Sequence, residues 1–443
     1  MNLDDRLKNV AVLGAGGKMG SGISLLLSRV MTLQKLKPEN KDKEYQINLI
    51  DVNPDALKGL ENYLKAQAKK YAQKNFENLK SYYPDSMDEE TLSNQFVEDL
   101  SSILNLTTQL NSACHSFMIF EAIIENIDLK LSIFKQLNEN CSGDTFFFSN
   151  TSSIPIKSMD EGAGLNGRII GFHFYNPPAV QKLVEIIIPQ KLHPDFTEIA
   201  YELGRRLEKI LIPCNDIAGF IGNGHFTRDG LHAISEAENL QREMSAVQAI
   251  YIMNKISRDF LVRPMGIFQL IDYVGLDVFQ SILKIMNPHF EDENLHSELI
   301  DKMVAAGVKG GQYPDGSQKD GFLKYENGKP NGFFDLNAGQ YISYEEGTWK
   351  TEADHKIGDL PREHKSWKEL LKDPGRNDLL NNYFNRLKSM DTKGAQLALQ
   401  YLKRSKEIGE QLVSGGVANN AGDINGVLMN GFFHLYGPVN EFV

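Results

Sequence analysis

The feature that most limits what this chain can become lies near its start, where Asn9-Val-Ala-Val-Leu13 runs straight into Gly14-Ala-Gly-Gly-Lys-Met-Gly20-Ser-Gly22. A short apolar run of this kind fits a buried strand of a parallel sheet. Glycines at a strand-to-helix turn let the backbone approach a pyrophosphate, and the helix start adds unpaired N–H groups and positive potential. A helical stretch follows from about Met19 to Leu36, so strand, glycine turn and helix come in the order a dinucleotide loop needs. The spacing departs from G-x-G-x-x-G by one residue and can be read as Gly14, Gly16, Gly20 or as Gly14, Gly17, Gly20. Together with Met19 these are the candidate cofactor contacts. The competing explanation is an ordinary strand-to-helix turn.

A second strand, Tyr45 to Ile50, ends at Asp51. A carboxylate there can accept from both hydroxyls of an adenosine ribose and would repel a 2′-phosphate, which selects NAD over NADP. The polar insert Gln34–Lys43 explains why Asp51 lies further from the glycines than usual. The alternative role is capping the next turn, Asn53-Pro54. Further strands are expected at Phe117–Phe120, Thr145–Phe148, Arg168–Tyr175 and Leu183–Ile188, with a polar helical stretch from about Pro54 to Leu100. Strands alternating with helices point to an α/β Rossmann-type domain. Past about Asp216 the pattern turns helical, apart from the Gly-, Asp- and Tyr-rich segment 306–350, which reads as turns or a long loop rather than strands.

At 443 residues the chain exceeds one ordinary core, so two or three domains are expected. A net charge of −11 argues against nucleic acid as the main partner. It leaves room for a small anionic ligand held by local positive groups. The cysteines Cys114, Cys141 and Cys214 are scattered and lack metal spacing, so neither a disulfide scaffold nor a metal site is expected. No apolar run is long enough for a membrane span, and the charged start MNLDDRLKN lacks a signal-peptide core. A reducing, cytoplasmic setting is the expectation.

Four segments then occur in order: EAIIENIDLK (121–130), SNTSS (149–153), GFHFYNPPAVQKLVE (171–185) and GFIGN (219–223). With the glycine loop they resemble the L-3-hydroxyacyl-CoA dehydrogenase family across about residues 8–290. The resemblance implies a Rossmann NAD-binding domain at 1–215 and an all-α C-terminal domain at 216–330. It also implies NAD-dependent oxidation of L-3-hydroxyacyl-CoA to 3-oxoacyl-CoA, a step of fatty-acid β-oxidation. His173 is then the catalytic base and Glu185 its partner. Chemistry agrees, because alcohol oxidation needs a base near neutral pH and a carboxylate can fix the imidazole's tautomer. Phe172 and Phe174 alternate with His173 to the opposite face, and Glu185 lies twelve residues on, across Pro177-Pro178, where an adjacent strand can present it. A satisfied core histidine is the plain alternative.

By the same resemblance Ser152 and Asn223 sit beside the substrate, where a hydroxyl and an amide can donate to the oxygen that carries charge. Glu125, Lys130 and Asn150 line the nicotinamide half, although Lys130 on a helix could equally be solvated. A helical arm after the second strand helps hold CoA in similar proteins. Lys65 and Lys69, one turn apart on such a helix, are the candidate phosphate contacts, with a solvated helix face as the alternative. One departure stands out: the family usually has arginine after the asparagine, and this chain has Gly224.

The segments RPMGIFQLIDYV (263–274) and FHLYGPVNEFV (433–443) look loosely alike. In larger relatives the helical domain is duplicated, and the second copy takes the place of a dimer partner. Residues 331–443 are therefore a candidate degenerate repeat, and the chain a monomer or homodimer with an acyl-CoA substrate. The competing functions are a related 3-hydroxyacid dehydrogenase on a non-CoA substrate, and a non-catalytic dinucleotide-binding protein.

Overall fold

Val10, Ala11, Val12 and Leu13 are completely or almost completely buried, which is why the first strand carries no polar alternation. In the computed structural model, which describes residues 1–313 and 316–443, this strand (β1, Asn9–Leu13) is central to an eight-stranded sheet. Its companions are β2 (Gln46–Ile50), β3 (Leu104–Thr107), β4 (Met118–Glu121), β5 (Phe146–Ser149), β6 (Ile169–Phe174), β7 (Leu183–Ile188) and β8 (Ile210–Asn215). The spatial order is β3-β2-β1-β4-β5-β6-β7-β8. The pairs from β3 through β6 are parallel, while β7 runs antiparallel to β6 and β8 parallel to β7. The strand order reverses between β1 and β4, the point where doubly wound sheets bind ligands outside the carboxyl ends of their strands.

The helix Lys18–Lys35 follows β1 and packs Ile23, Leu27 and Met31 into the core beneath the sheet. The polar stretch after β2 forms the helices Pro54–Lys74 and Glu89–Ser101. Asn53 caps the first by accepting from the N–H groups of Asp55 and Ala56, and Asp88 caps the second by accepting from Thr91. A stack of aromatic rings (Phe120, Phe146, Phe148, Phe172 and Phe196) fills the space beside β4 to β6.

The chain divides into two compact units, Met1–Ile217 and Ala218–Val443. The boundary expected at 215/216 thus falls two residues later, and residues 331–443 pack with 218–330 in one unit. The second unit is mostly helical, with long helices at Gly222–Leu240 and Lys393–Ser414. It is not all-α. Within the segment read as turns, Leu323–Glu326, Lys329–Asp335 and Gln340–Ser343 form an antiparallel three-stranded sheet; Pro314 and Asp315 of that segment lie outside the described residues. Buried Asp272 anchors its first strand by accepting from the N–H groups of Phe322 (2.6 Å) and Leu323 (2.9 Å), while Phe322, Leu323 and Phe333 enter the helical core. Burial drives the Asp272 carboxyl well above its ordinary range.

Two loops of this unit share one construction. Asn254 in the helix Ala246–Lys255 and Gly266 are twelve residues apart, as are Asn425 in the helix Ala421–Gly431 and Gly437. Asn254 Oδ1 accepts from Gln269 N (3.1 Å), and Asn425 Oδ1 from Val439 N (3.0 Å). A Cβ on either glycine would lie 2.0–2.2 Å from its asparagine side chain, so only glycine fits. The helix that begins at Gly222 also explains Gly224. A Cβ there would approach Leu412 Cδ2 at 3.1 Å, so the glycine lets the helix Lys393–Ser414 pack close. Among the described residues no helix is long and apolar enough to cross a membrane.

Candidate active site

At the carboxyl end of β1 the glycine loop is shaped by contacts that exclude side chains. Gly14 has φ +72°, and a Cβ on it would meet Ala122 O at 2.7 Å. A Cβ on Gly20 would lie 2.0 Å from Gly14 O, and one on Gly16 would lie 2.7 Å from Ala56 Cβ. The loop therefore uses Gly14, Gly16 and Gly20 together, with Gly17 as the helix N-cap. No side chain caps that helix, so its first N–H groups open onto the turn. Met19 lies partly buried inside its first turn. Asp51 joins the same loop: Oδ2 accepts from Gly16 N (2.9 Å) and Oδ1 from Asn53 N (3.0 Å). The carboxylate thus stands beside the glycine turn and also caps the next one.

Behind the loop, the carboxyl ends of β4 and β5 carry a buried ionic network. Lys130, 1% exposed, pairs with the fully buried Glu121 at 2.6 Å and with Glu125 at 3.2 Å. It is a buried counter-charge, and the solvated alternative is ruled out. Burial alone would lower the ammonium's affinity for its proton, but the two carboxylates outweigh it and the net shift is upward. Glu121 also accepts from Ser149 Oγ (2.6 Å), and Glu125 from Thr151 Oγ1 (2.6 Å), Ser152 N (2.8 Å) and Ser153 N (3.1 Å). Burial opposes the charge on Glu125, yet Lys130 and these donors hold its carboxyl below the usual range. Glu121, Thr151 and Ser153 were not singled out from the sequence, and together they fix the SNTSS loop. Asn150 ties that loop to β6, its Oδ1 accepting from Phe174 N (2.8 Å).

His173 lies near the carboxyl end of β6, directly opposite Glu185 in the antiparallel register with β7. Nδ1–H of the ring donates to Glu185 Oε1 at 3.0 Å; the carboxylate is fully buried and the ring is 9% exposed. The tautomer follows, with Nε2 as the basic atom. Tyr175, also not anticipated, donates to the same Oε1 at 2.8 Å, and its ring lies 4.9 Å from the imidazole.

Two of the expected groups are carried by other elements. Asn223 belongs to the second unit, as the second residue of the helix Gly222–Leu240. Lys65 and Lys69 border an open groove of about 340 Å³ between the helices Pro54–Lys74 and Glu89–Ser101, with Asn94 and Glu98 opposite. Lys65 is also ion-paired with Glu61 at 2.6 Å.

A glycine turn with a carboxylate bonded to it at the reversal point, and a carboxylate-backed imidazole on the same sheet edge, fit a dinucleotide-dependent dehydrogenase of Rossmann type. Comparison with known proteins makes this specific. Residues 9–217 match the family model "3-hydroxyacyl-CoA dehydrogenase, NAD binding domain", and residues 235–325 match its "C-terminal domain". The human mitochondrial hydroxyacyl-coenzyme A dehydrogenase is 31% identical over 327 residues, covering 72% of this chain and 92% of that one. A probable 3-hydroxybutyryl-CoA dehydrogenase of Bacillus subtilis is 29% identical, covering 69% and 94%. The crystal structure of the 3-hydroxybutyryl-CoA dehydrogenase of Escherichia coli K12 shares the fold over 98% of this chain and 90% of that one, with a TM-score of 0.64 at 19% identity. The chain belongs to the 3-hydroxyacyl-CoA dehydrogenase family, and NAD is its cofactor.

Proposed function

We propose that the protein oxidises L-3-hydroxyacyl-CoA to 3-oxoacyl-CoA in fatty-acid β-oxidation, with His173 as base and Glu185 as its buried partner. The observation that carries this reading is the 3.0 Å bond between His173 Nδ1 and Glu185 Oε1. It leaves Nε2 to take the hydroxyl proton, and the carboxylate stabilises the imidazolium that results. NAD, when bound, accepts the carbinol hydride.

Close packing at Gly14, Gly16 and Gly20 shapes a turn whose helix start, uncapped by any side chain, would offer N–H groups to a pyrophosphate, and Asp51 beside it would meet the adenosine ribose. Ser152, held by Glu125 through its backbone N–H, offers a hydroxyl to the substrate oxygen, and Asn223 would supply the second donor. Glu125, Lys130 and Asn150 act here mainly by fixing the SNTSS loop. Lys65 and Lys69 would meet CoA phosphates.

The matching Asn254–Gly266 and Asn425–Gly437 loops support reading the end of the second unit as a second copy of its start. On that reading the chain carries its own dimer partner and acts as a monomer.

The test is His173→Gln. Turnover of acetoacetyl-CoA with NADH should fall about 100- to 10,000-fold while NADH still binds. Wild-type protein that reduces free acetoacetate as well as its thioester would instead favour the non-CoA dehydrogenase, and a full-rate variant would remove His173 from the chemistry.

A further inference from the structure

Glu185 Oε1 carries two donors at once, the His173 ring at 3.0 Å and the Tyr175 hydroxyl at 2.8 Å. An acceptor shared in this way gives less of its charge to each partner than it would give to one alone. We infer that Tyr175 is a positioning residue that acts through Glu185. By drawing on the oxygen that backs the imidazole, it weakens the hold of His173 on its proton and extends oxidation to lower pH. The inference rests on the proposed role of His173 as base.

The surroundings support it. Glu185 lies within β7 and is fully buried, so its charge depends on hydrogen bonds rather than on water. Tyr175 sits just past β6, on the same side as His173 in the two-residue alternation, and its ring tilts against the imidazole. From β8, the Cys214 thiol faces the tyrosine. Burial first, and the neighbouring Glu185 charge second, keep the Tyr175 phenol well above its ordinary range, so it stays a donor throughout the working pH range. A phenylalanine at this position keeps the aromatic ring and removes the bond to Glu185.

Tyr175→Phe therefore isolates the effect. Kinetics of 3-hydroxybutyryl-CoA oxidation with NAD should be measured from pH 5.5 to 9, where a falling acid limb reports protonation of the base. Without the phenol, Glu185 holds the imidazolium more tightly, so the acid limb should move up by roughly 0.5–1 pH unit. The KM for NAD should not change. In a Glu185→Gln background the same substitution should leave the limb where it is. An unmoved or downward-moving limb in the single variant, or a shift that persists without Glu185, overturns the inference. His173→Gln measured alongside separates the two levels. If that variant retains turnover, the base assignment itself falls, whereas a dead His173→Gln with an unmoved Tyr175→Phe profile removes only the role given to Tyr175.

Discussion

Replacing Lys130 by methionine keeps most of the side-chain volume but strips the buried Glu121 and the partly exposed Glu125 of their counter-charge. Lys130 Nζ lies 2.6 Å from Glu121 and 3.2 Å from Glu125, and Glu121 has no solvent exposure. Glu121 cannot remain charged there without its partner, so the variant takes up a proton. The cost of doing so sets the penalty. With an ordinary glutamic acid near 4.3, protonation at pH 7 costs about 3.7 kcal/mol, and at pH 5.5 about 1.6 kcal/mol. The first figure falls within the roughly 3–5 kcal/mol seen when buried ion pairs lose one member. The sign is fixed: the variant's folded state binds a proton that the unfolded chain releases, so the penalty must shrink as pH falls. Urea unfolding followed by far-UV circular dichroism at both pH values measures it. Lys130→Met/Glu121→Gln, which removes the stranded charge, should recover most of the loss at pH 7. A penalty below about 1 kcal/mol at pH 7, or one that does not change with pH, would refute the reasoning.

The remaining predictions concern binding, pH and assembly. Reversing Lys65 and Lys69 to glutamate should raise the KM for acyl-CoA roughly tenfold and leave NADH binding alone; no change in either constant would return both lysines to the solvated helix face. In the second unit His225 is 1% exposed, and burial lowers its affinity for a proton despite nearby Asp229, with Arg263 and Arg228 adding repulsion. Its folded value therefore lies below the unfolded value of about 6.5, so the stability it lends is complete above that pH and is lost as pH falls below it. The slope should reach about 1.4 kcal/mol per pH unit, and a His225→Gln variant should show a flatter profile in the same denaturation series. On the proposal that a second copy fills the partner's place, sedimentation should find one species of 49.8 kDa at micromolar concentration; a dimer under those conditions would count against the repeat.

What the sequence revealed was local or periodic. β1 was readable to the residue because four of its five side chains are apolar, and the strand pair carrying His173 and Glu185 followed from the two-residue alternation and Pro177-Pro178. The edge strands β3 and β8 were missed. β3 is short and half-buried, and β8 contains Pro213, tolerable only because an edge strand needs fewer ladder donors. The three-stranded sheet of the second unit hid in a turn-rich segment whose first strand is anchored at its start by Asp272, some 50 residues earlier. Glu121 and Tyr175 escaped notice for the same reason. Their roles come from Lys130 and Glu185, partners that no helical or strand period connects to them.

A surface formed by two copies of one sequence can change only in pairs, since each substitution appears on both sides of the axis. In this chain Arg263 and His434 stand three residues before Gly266 and Gly437, at equivalent steps of the two asparagine–glycine loops, and they line one small pocket together with Asp229. Two identical subunits would have to set guanidinium against guanidinium, or imidazole against imidazole. On the proposed reading of the chain's end as a second copy, the two halves would instead set a guanidinium and an imidazole around one shared carboxylate, an asymmetry open only to copies joined in one polypeptide.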